Sequence, residues 1–251
     1  MRTAFLFDVD GTLTPSRQSM NSTFRVWFCE FLNKHDVYLV TGSDYPKTVE
    51  QLGTTVTENV KRVYGCSGND VWEKGKNTYT SKWIIPQEPH DWLAAKLTNS
   101  EFPLRTGAHF EHRPGMINFS IVGRNATLSE RKLYVEFDER TGERNQIVDE
   151  FNALFGDKIT ATAGGETGLD IYPRGKDKAQ VLDDLPEYDS IVFFGDRCDH
   201  QGNDYTLARA VTALSNNKDS LVYGRGKYYN VQDWQDTWQK LQEIWKHAPA
   251  I

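Results

Sequence analysis

The run Ala4-Phe5-Leu6-Phe7-Asp8-Val9-Asp10-Gly11-Thr12 constrains this chain more than any other stretch. An apolar segment that stops at two carboxylates and a glycine reads as a buried parallel strand running into a polar turn. Open α/β sheets bind their ligands at the carboxyl ends of such strands. Two carboxylates two residues apart repel, so they need a cation or a shared proton between them. Gly11 supplies the unusual backbone that a turn there requires. The expectation is an α/β, doubly wound (Rossmann-like) fold with acidic chemistry at the end of its first strand.

The pattern that follows agrees. Phe24, Trp27, Phe28, Phe31 and Leu32 recur on one face of a helix. Val37–Val40 reads as a second strand, ending at Thr41-Gly42-Ser43, and a short helix covers about Tyr45 to Leu52. Lys61–Cys66 reads as a third strand, and Val71–Thr80 as a hairpin turning at Gly75. The middle of the chain differs. A helix at Asp91–Leu97 precedes two antiparallel strands, Ala108–Arg113 and Met116–Val122, turning at Pro114-Gly115. Helices at Leu128–Phe137 and Arg144–Phe155 lead to strands at Ile159–Ala163 and Gly168–Tyr172. Strands grouped with strands indicate an α+β module. After Pro173 the alternation resumes, with strands at Ser190–Phe194 and Val211–Leu214. Trp234, Trp238, Leu241 and Trp245 mark a final amphipathic helix. The division expected is a core of residues 1–80 and 173–251, with an inserted α+β cap of residues 81–172.

Charge and composition narrow the function. The net charge of −6 excludes a nucleic-acid binder that relies on an overall positive field, but leaves room for a local basic pocket. No segment approaches the ~20 apolar residues that span a bilayer, so no membrane partner is expected. The run Ala4–Phe7 is too short for a secretion leader. Cys29, Cys66 and Cys198 are odd in number and lack metal-like spacing. They read as free thiols in a reducing, cytoplasmic compartment. Tryptophans such as Trp83 and Trp92 read as core or as dimer surface.

Asp8 through Thr14 resembles the first motif, DxDGT, of the haloacid-dehalogenase superfamily. Three further motifs of that superfamily have counterparts in the same order. Thr41-Gly42-Ser43 offers a hydroxyl at the end of the second strand, with Thr41 and Ser43 competing for the role. In Arg174-Gly175-Lys176-Asp177-Lys178, the family spacing selects Lys178. Gly195-Asp196 followed by Gly202-Asn203-Asp204 matches the acidic metal motif. Within the superfamily, Glu111 through Asn118 resembles the FRNGMLN motif of the eukaryotic-type phosphomannomutases. Val122-Gly123-Arg124 with Arg131, the start from Asp8 through Arg17 to Gln18, and Gly164-Gly165 before Asp170 match that family as well. Departures are Gly168 where the family has serine, Gln201 in place of a glycine, and the sequence following Asp204.

The resemblance implies a phosphomannomutase that serves GDP-mannose supply. It would interconvert mannose 1-phosphate and mannose 6-phosphate through an aspartyl-phosphate and a hexose 1,6-bisphosphate, which also acts as activator. Asp8 would be the nucleophile and Asp10 the general acid/base, with Lys178 and the Thr41 or Ser43 hydroxyl on the phosphoryl oxygens. Mg²⁺ would sit on Asp8, the Asp10 backbone carbonyl and Asp196, with Asp204 on a metal-bound water or behind a ligand. Arg17, Gly42, Asn118 and Asp170 would contact substrate. Arg113, Arg124 and Arg131 would cradle the phosphate that is not reacting, since arginine forks hold phosphate bidentately. A homodimer through the cap is implied too. The rival readings are a sugar-phosphate phosphatase on the same scaffold and a non-catalytic phosphosugar-binding protein.

Overall fold

The computed structural model describes residues 2–200, 202–216 and 226–246. Its elements in chain order are β1 (Thr3–Phe7), α1 (Ser22–Leu32), β2 (Asp36–Val40), α2 (Tyr45–Leu52), α3 (Thr54–Thr57), β3 (Arg62–Gly65), β4 (Asp70–Glu73), β5 (Lys76–Thr80) and α4 (Gln87–Asn99). They continue with β6 (Phe110–Arg113), β7 (Met116–Phe119), α5 (Leu128–Thr141), α6 (Glu143–Phe155), β8 (Ile159–Gly164), β9 (Gly168–Pro173), β10 (Ser190–Gly195), α7 (Tyr205–Asn216), β11 (Gly226–Asn230) and α8 (Trp234–Lys246).

Two sheets result. The first has the order β11-β10-β1-β2-β3-β4-β5. Its strands run parallel from β11 to β3, and the β4–β5 hairpin adds an antiparallel edge. The second sheet, β6-β7-β9-β8, is antiparallel throughout and lies in sequence between β5 and β10. The α/β class expected from the first strand is therefore the one found.

β1 sits at the centre of the first sheet because it is apolar on both faces. Phe5 and Phe7 pack on one side with Phe28, Phe31 and Leu241 from α1 and α8. Ala4 and Leu6 pack on the other with Val181, Leu207 and Val211. Alternate residues of a strand face opposite sides, so one five-residue strand feeds two cores. The second sheet has its own core, in which Ile117, Phe119, Ala161 and Ile171 meet Tyr134 and Phe151 of α5 and α6. Trp83 and Trp92 pack against this core.

One expected strand is overturned. Val211–Leu214 lies inside α7. Leu207, Ala208 and Val211 are buried at helical spacing, which a short apolar window disguises as a strand. The strand that covers the edge of β10 is β11, whose Tyr228 and Tyr229 pair with Phe193 and Phe194. Gln201 and the side chain of Trp245 lie outside the described residues. All three cysteines are free thiols. Among the described residues no helix is long and apolar enough to cross a membrane.

Candidate active site

Strand register brings the acidic residues together. Phe7 of β1 pairs with Phe194 of β10 on one side and with Leu39 of β2 on the other. Asp8, Asp196 and Thr41 each follow within two residues, so all three leave the same edge of the sheet. The Asp8 amide donates to the Phe194 carbonyl at 2.9 Å, which extends the pairing by one residue. Asp8, Asp196 and Asp204 place carboxylate oxygens within 4.8 Å of one another. Gly11 has φ +81°, and a Cβ there would come within 2.5 Å of the Asp196 carboxylate. The glycine of the first motif thus makes room for the last one.

Lys178 is fully buried, and its ammonium reaches Asp8 Oδ1 at 2.6 Å and Asp204 Oδ1 at 2.7 Å. Burial alone would pull its pKa down, but Asp204 and Asp8 outweigh that and hold it above its ordinary value. The carboxylates are not balanced in return. Burial, reinforced by Asp204 and Asp196, pushes Asp8 well above the usual carboxylate range despite Lys178. Burial, with Asp204 beside it, raises Asp196 to about 7. Three carboxylates, two buried and one partly exposed, share one ammonium, and this deficit of positive charge adds to burial in raising Asp8 and Asp196. A divalent cation with a taste for hard oxygen ligands matches that deficit.

Asp10 lies just outside this cluster. Its Oδ1 accepts from the Arg17 amide at 2.7 Å and from Gln51 Nε2 at 2.8 Å, and its Oδ2 faces Ser43 Oγ at 3.3 Å. Thr41 Oγ1 accepts from the Ser43 amide at 3.1 Å. Both hydroxyl residues line the same cavity.

The second sheet supplies the opposite wall of that cavity, which holds about 200 Å³. Asn118 of β7 and Asp170 of β9 are register partners, and the Asn118 amide donates to Asp170 Oδ1 at 2.7 Å. Gly168 permits this seat, because a Cβ there would come within 2.7 Å of Asn118 Nδ2. Asn203 reaches the other Asp170 oxygen at 3.4 Å. Arg113 Nη1 donates to the Gly42 carbonyl at 2.6 Å, and Arg17 Nη1 to the Arg124 carbonyl at 3.2 Å. Each of these two arginines therefore ties one sheet to the other.

Glu111 sits between two of the arginines. It accepts from Arg113 Nε at 2.8 Å and also pairs with Arg124 Nε. Burial would raise its pKa, but Arg113 and Arg124 hold it down at about 2. Burial together with Arg113 and Arg17 lowers Arg124 to about 10. Burial and Arg124 lower Arg131 as well. Arg131 is only 4% exposed, and its Nε and Nη1 have no hydrogen-bond partner among the described residues. A buried guanidinium without acceptors costs free energy, and an anion entering the cavity would remove that cost.

Of the site residues expected from the sequence, Asp8, Asp10, Arg17, Thr41, Gly42, Ser43, Arg113, Asn118, Arg124, Arg131, Asp170 and Asp196 line one cavity, and Lys178 and Asp204 lie behind Asp8. Glu111, Asn203 and Gln51 join them with contacts that their motifs did not announce. Gln51 carried no sequence signal at all, since it reads only as a polar residue near a helix end.

The Eukaryotic phosphomannomutase family model matches residues 24–247. The phosphomannomutase of Saccharomyces cerevisiae is 34% identical over 214 residues, covering 82% of this chain and 84% of its own. Phosphomannomutase 1 of Homo sapiens is 32% identical over 256 residues, covering 97% and 92%. Among solved structures, the C-terminal domain of Candida albicans trehalose-6-phosphate phosphatase covers 97% of this chain and 91% of its own, with TM-score 0.64 and 14% identity. A haloacid dehalogenase-like hydrolase from Bacteroides thetaiotaomicron covers 97% and 100%, with TM-score 0.56 and 15% identity. At such identities these structures speak for the fold alone. The family match spans most of the chain and the relatives exceed 30% identity over four-fifths of it or more, and on that ground the chain belongs to the eukaryotic phosphomannomutase family.

Proposed function

We propose that the cavity interconverts mannose 1-phosphate and mannose 6-phosphate through a hexose 1,6-bisphosphate. The observation that carries this reading is the opposition of two unsatisfied walls, a largely buried carboxylate cluster on one side and, on the other, the buried Arg131, whose Nε and Nη1 have no hydrogen-bond partner among the described residues. A bisphosphate needs both walls at once.

In the proposed sequence, an Asp8 oxygen bonds to phosphorus while the bond from phosphorus to the sugar oxygen breaks. The leaving oxygen keeps the electron pair and takes a proton from Asp10. In the return step Asp10 accepts the proton of the incoming hydroxyl, and the phosphoryl leaves Asp8 for that oxygen. Lys178 and the Thr41 or Ser43 hydroxyl offset charge on the phosphoryl oxygens. Asp8, Asp196 and the Asp10 carbonyl, with Asp204 behind, would hold Mg²⁺, which would supply the remaining positive charge. Arg124 and Arg131 grip the distant phosphate. Asp170, Asn118 and Gly42 face the sugar, and Arg113 and Arg17 brace the walls as well as face the substrate.

Residues 81–172 act in this reading as a cap that opens to let the bisphosphate turn round and closes against water. A homodimer through that cap and a cytoplasmic location complete the proposal. Free thiols and the absence of a membrane-crossing helix among the described residues are compatible with that location. The test is incubation with mannose 1-phosphate, Mg²⁺ and a trace of hexose 1,6-bisphosphate. Mannose 6-phosphate should form, and excess chelator should stop it. Release of inorganic phosphate instead would favour a phosphatase, and no turnover would favour a binding protein.

A further inference from the structure

We infer that Gln51, from the last turn of α2, is a positioning residue that fixes which oxygen of Asp10 exchanges protons with the sugar. The inference rests on the acid–base reading of Asp10 given above. Gln51 is only 2% exposed. Its Nε2 donates to Asp10 Oδ1 at 2.8 Å and to Thr14 Oγ1 at 3.2 Å, so both amide hydrogens are used. The Thr14 hydroxyl in turn donates to the Val9 carbonyl at 3.4 Å. Turning the amide over would set its oxygen against a carboxylate and against a hydroxyl whose hydrogen is already committed. The amide can therefore only donate. Its Oε1 is buried and has no partner among the described residues, an unfavourable arrangement for a polar atom. That the site keeps this arrangement indicates that the donor side is what it needs.

The effect on Asp10 follows. Oδ1 already receives two N–H donors, from Gln51 and from the Arg17 amide. The residue that offers the second donor sits in the left-handed region, with φ +57° at Arg17. Among the described residues Oδ2 accepts only from the Ser43 hydroxyl, at 3.3 Å, and both residues line the cavity. The carboxyl group is thus locked in rotation with one oxygen saturated and the other presented to substrate. Gln51 is itself held at its backbone, where its carbonyl accepts from the Met20 amide at 2.8 Å. α2 is in this way pinned to the loop that carries Asp10.

The test is Gln51→Met, which keeps the length of the side chain and removes the donor. The kcat for mannose phosphates should fall roughly ten- to a hundredfold, with KM nearly unchanged. Attack on 4-nitrophenyl phosphate, whose leaving group needs no proton, should stay within about twofold. In an Asp10→Ala background the Gln51→Met change should add nothing further. Equal losses on both substrates, or additive losses in the double variant, would reduce Gln51 to structural support and overturn the inference. Unchanged kcat would overturn it as well. If Asp10→Ala alone slows both substrates equally, the acid–base reading fails and this inference falls with it. A selective Asp10→Ala beside an unselective Gln51→Met refutes the Gln51 role alone.

Discussion

The two walls of the cavity carry opposite charge, and each is one partner short. On the first sheet, Asp8, Asp196 and Asp204 crowd around a single Lys178. On the second, Arg113 and Arg124 flank Glu111, Arg113 also lies 3.9 Å from Asp170, and Nε and Nη1 of Arg131 have no hydrogen-bond partner among the described residues. The walls are opposite in the charge they leave over, and they differ in how far their charged groups are exposed. Lys178 and Asp204 are wholly buried, whereas the Glu111 side chain is 35% exposed. The difference teaches which wall is suited to chemistry and which to grip. A sealed wall keeps its charges in a low-dielectric setting, where they act strongly on a reacting group. A half-open wall can take up and release an anion.

The largest effect should come from the first wall. Asp8→Asn removes the proposed nucleophile while Lys178 keeps its contact with Asp204. Mutase turnover should drop by about 10⁴-fold or more, with the folded structure retained. Labelling with a radioactive hexose bisphosphate, followed by denaturation, should trap a phosphoprotein only in the parent. Stable label on the substituted protein would show that the sealed wall is not where covalent chemistry occurs.

The next effect separates two arginines of the second wall. Arg131→Ala deletes a guanidinium whose Nε and Nη1 have no partner among the described residues, so the ligand-free fold loses little hydrogen bonding. It should raise the KM for mannose phosphates by roughly ten- to a hundredfold, since a bidentate contact to phosphate is worth about 1.5–3 kcal/mol. Arg113→Ala breaks bonds to Glu111 and to the Gly42 carbonyl. It should lower the melting temperature of the ligand-free protein more than Arg131→Ala does. Equal melting temperatures with unequal KM values, or the reverse, would erase the distinction between grip and brace.

What the sequence revealed of these walls depended on how local the cause was. β1 announces itself because Ala4–Phe7 are apolar in succession and all four are buried. Asp8 and Asp196 sit in short motifs at the ends of predictable strands, whereas Lys178 was singled out only by the spacing of the family it resembles, and the fold brings the three side by side. Val211–Leu214 misled because four residues cannot tell a buried helix face from a strand, and only the burial of Leu207 with Val211 settles it. The β11 edge was missed because Gly226–Asn230 is mostly polar and aromatic, without the apolar run of the central strands. Gln51 and Glu111 were opaque for a different reason. Gln51 meets Asp10 across 41 positions of sequence, and Glu111 meets Arg124 across 13. Such meetings are set by strand register and helix docking, and a side chain's identity does not reveal them.

The smallest effect probes Glu111, the carboxylate that two arginines of the second wall share. Arg113 and Arg124 hold the folded-state pKa of Glu111 at about 2, below its ordinary value of 4.5. A carboxylate depressed on folding stabilises the protein above its unfolded pKa and loses that contribution as pH falls through the folded one. The window is therefore from about pH 4.5 down to about 2. Glu111→Gln keeps the shape and removes the charge, so it should melt below the parent at pH 6. Partial exposure screens the pairs, and the gap should be only about 2–4 °C. It should narrow as the pH is lowered through the window, because the parent loses there what the variant never had. Phosphate ion offers the counter-test, since an anion bound among the arginines replaces the missing charge. It should narrow the gap at pH 6 as well. A gap that is constant with pH and untouched by phosphate would mean that Glu111 serves the second wall by packing alone, and the charge symmetry between the walls would be broken at that residue.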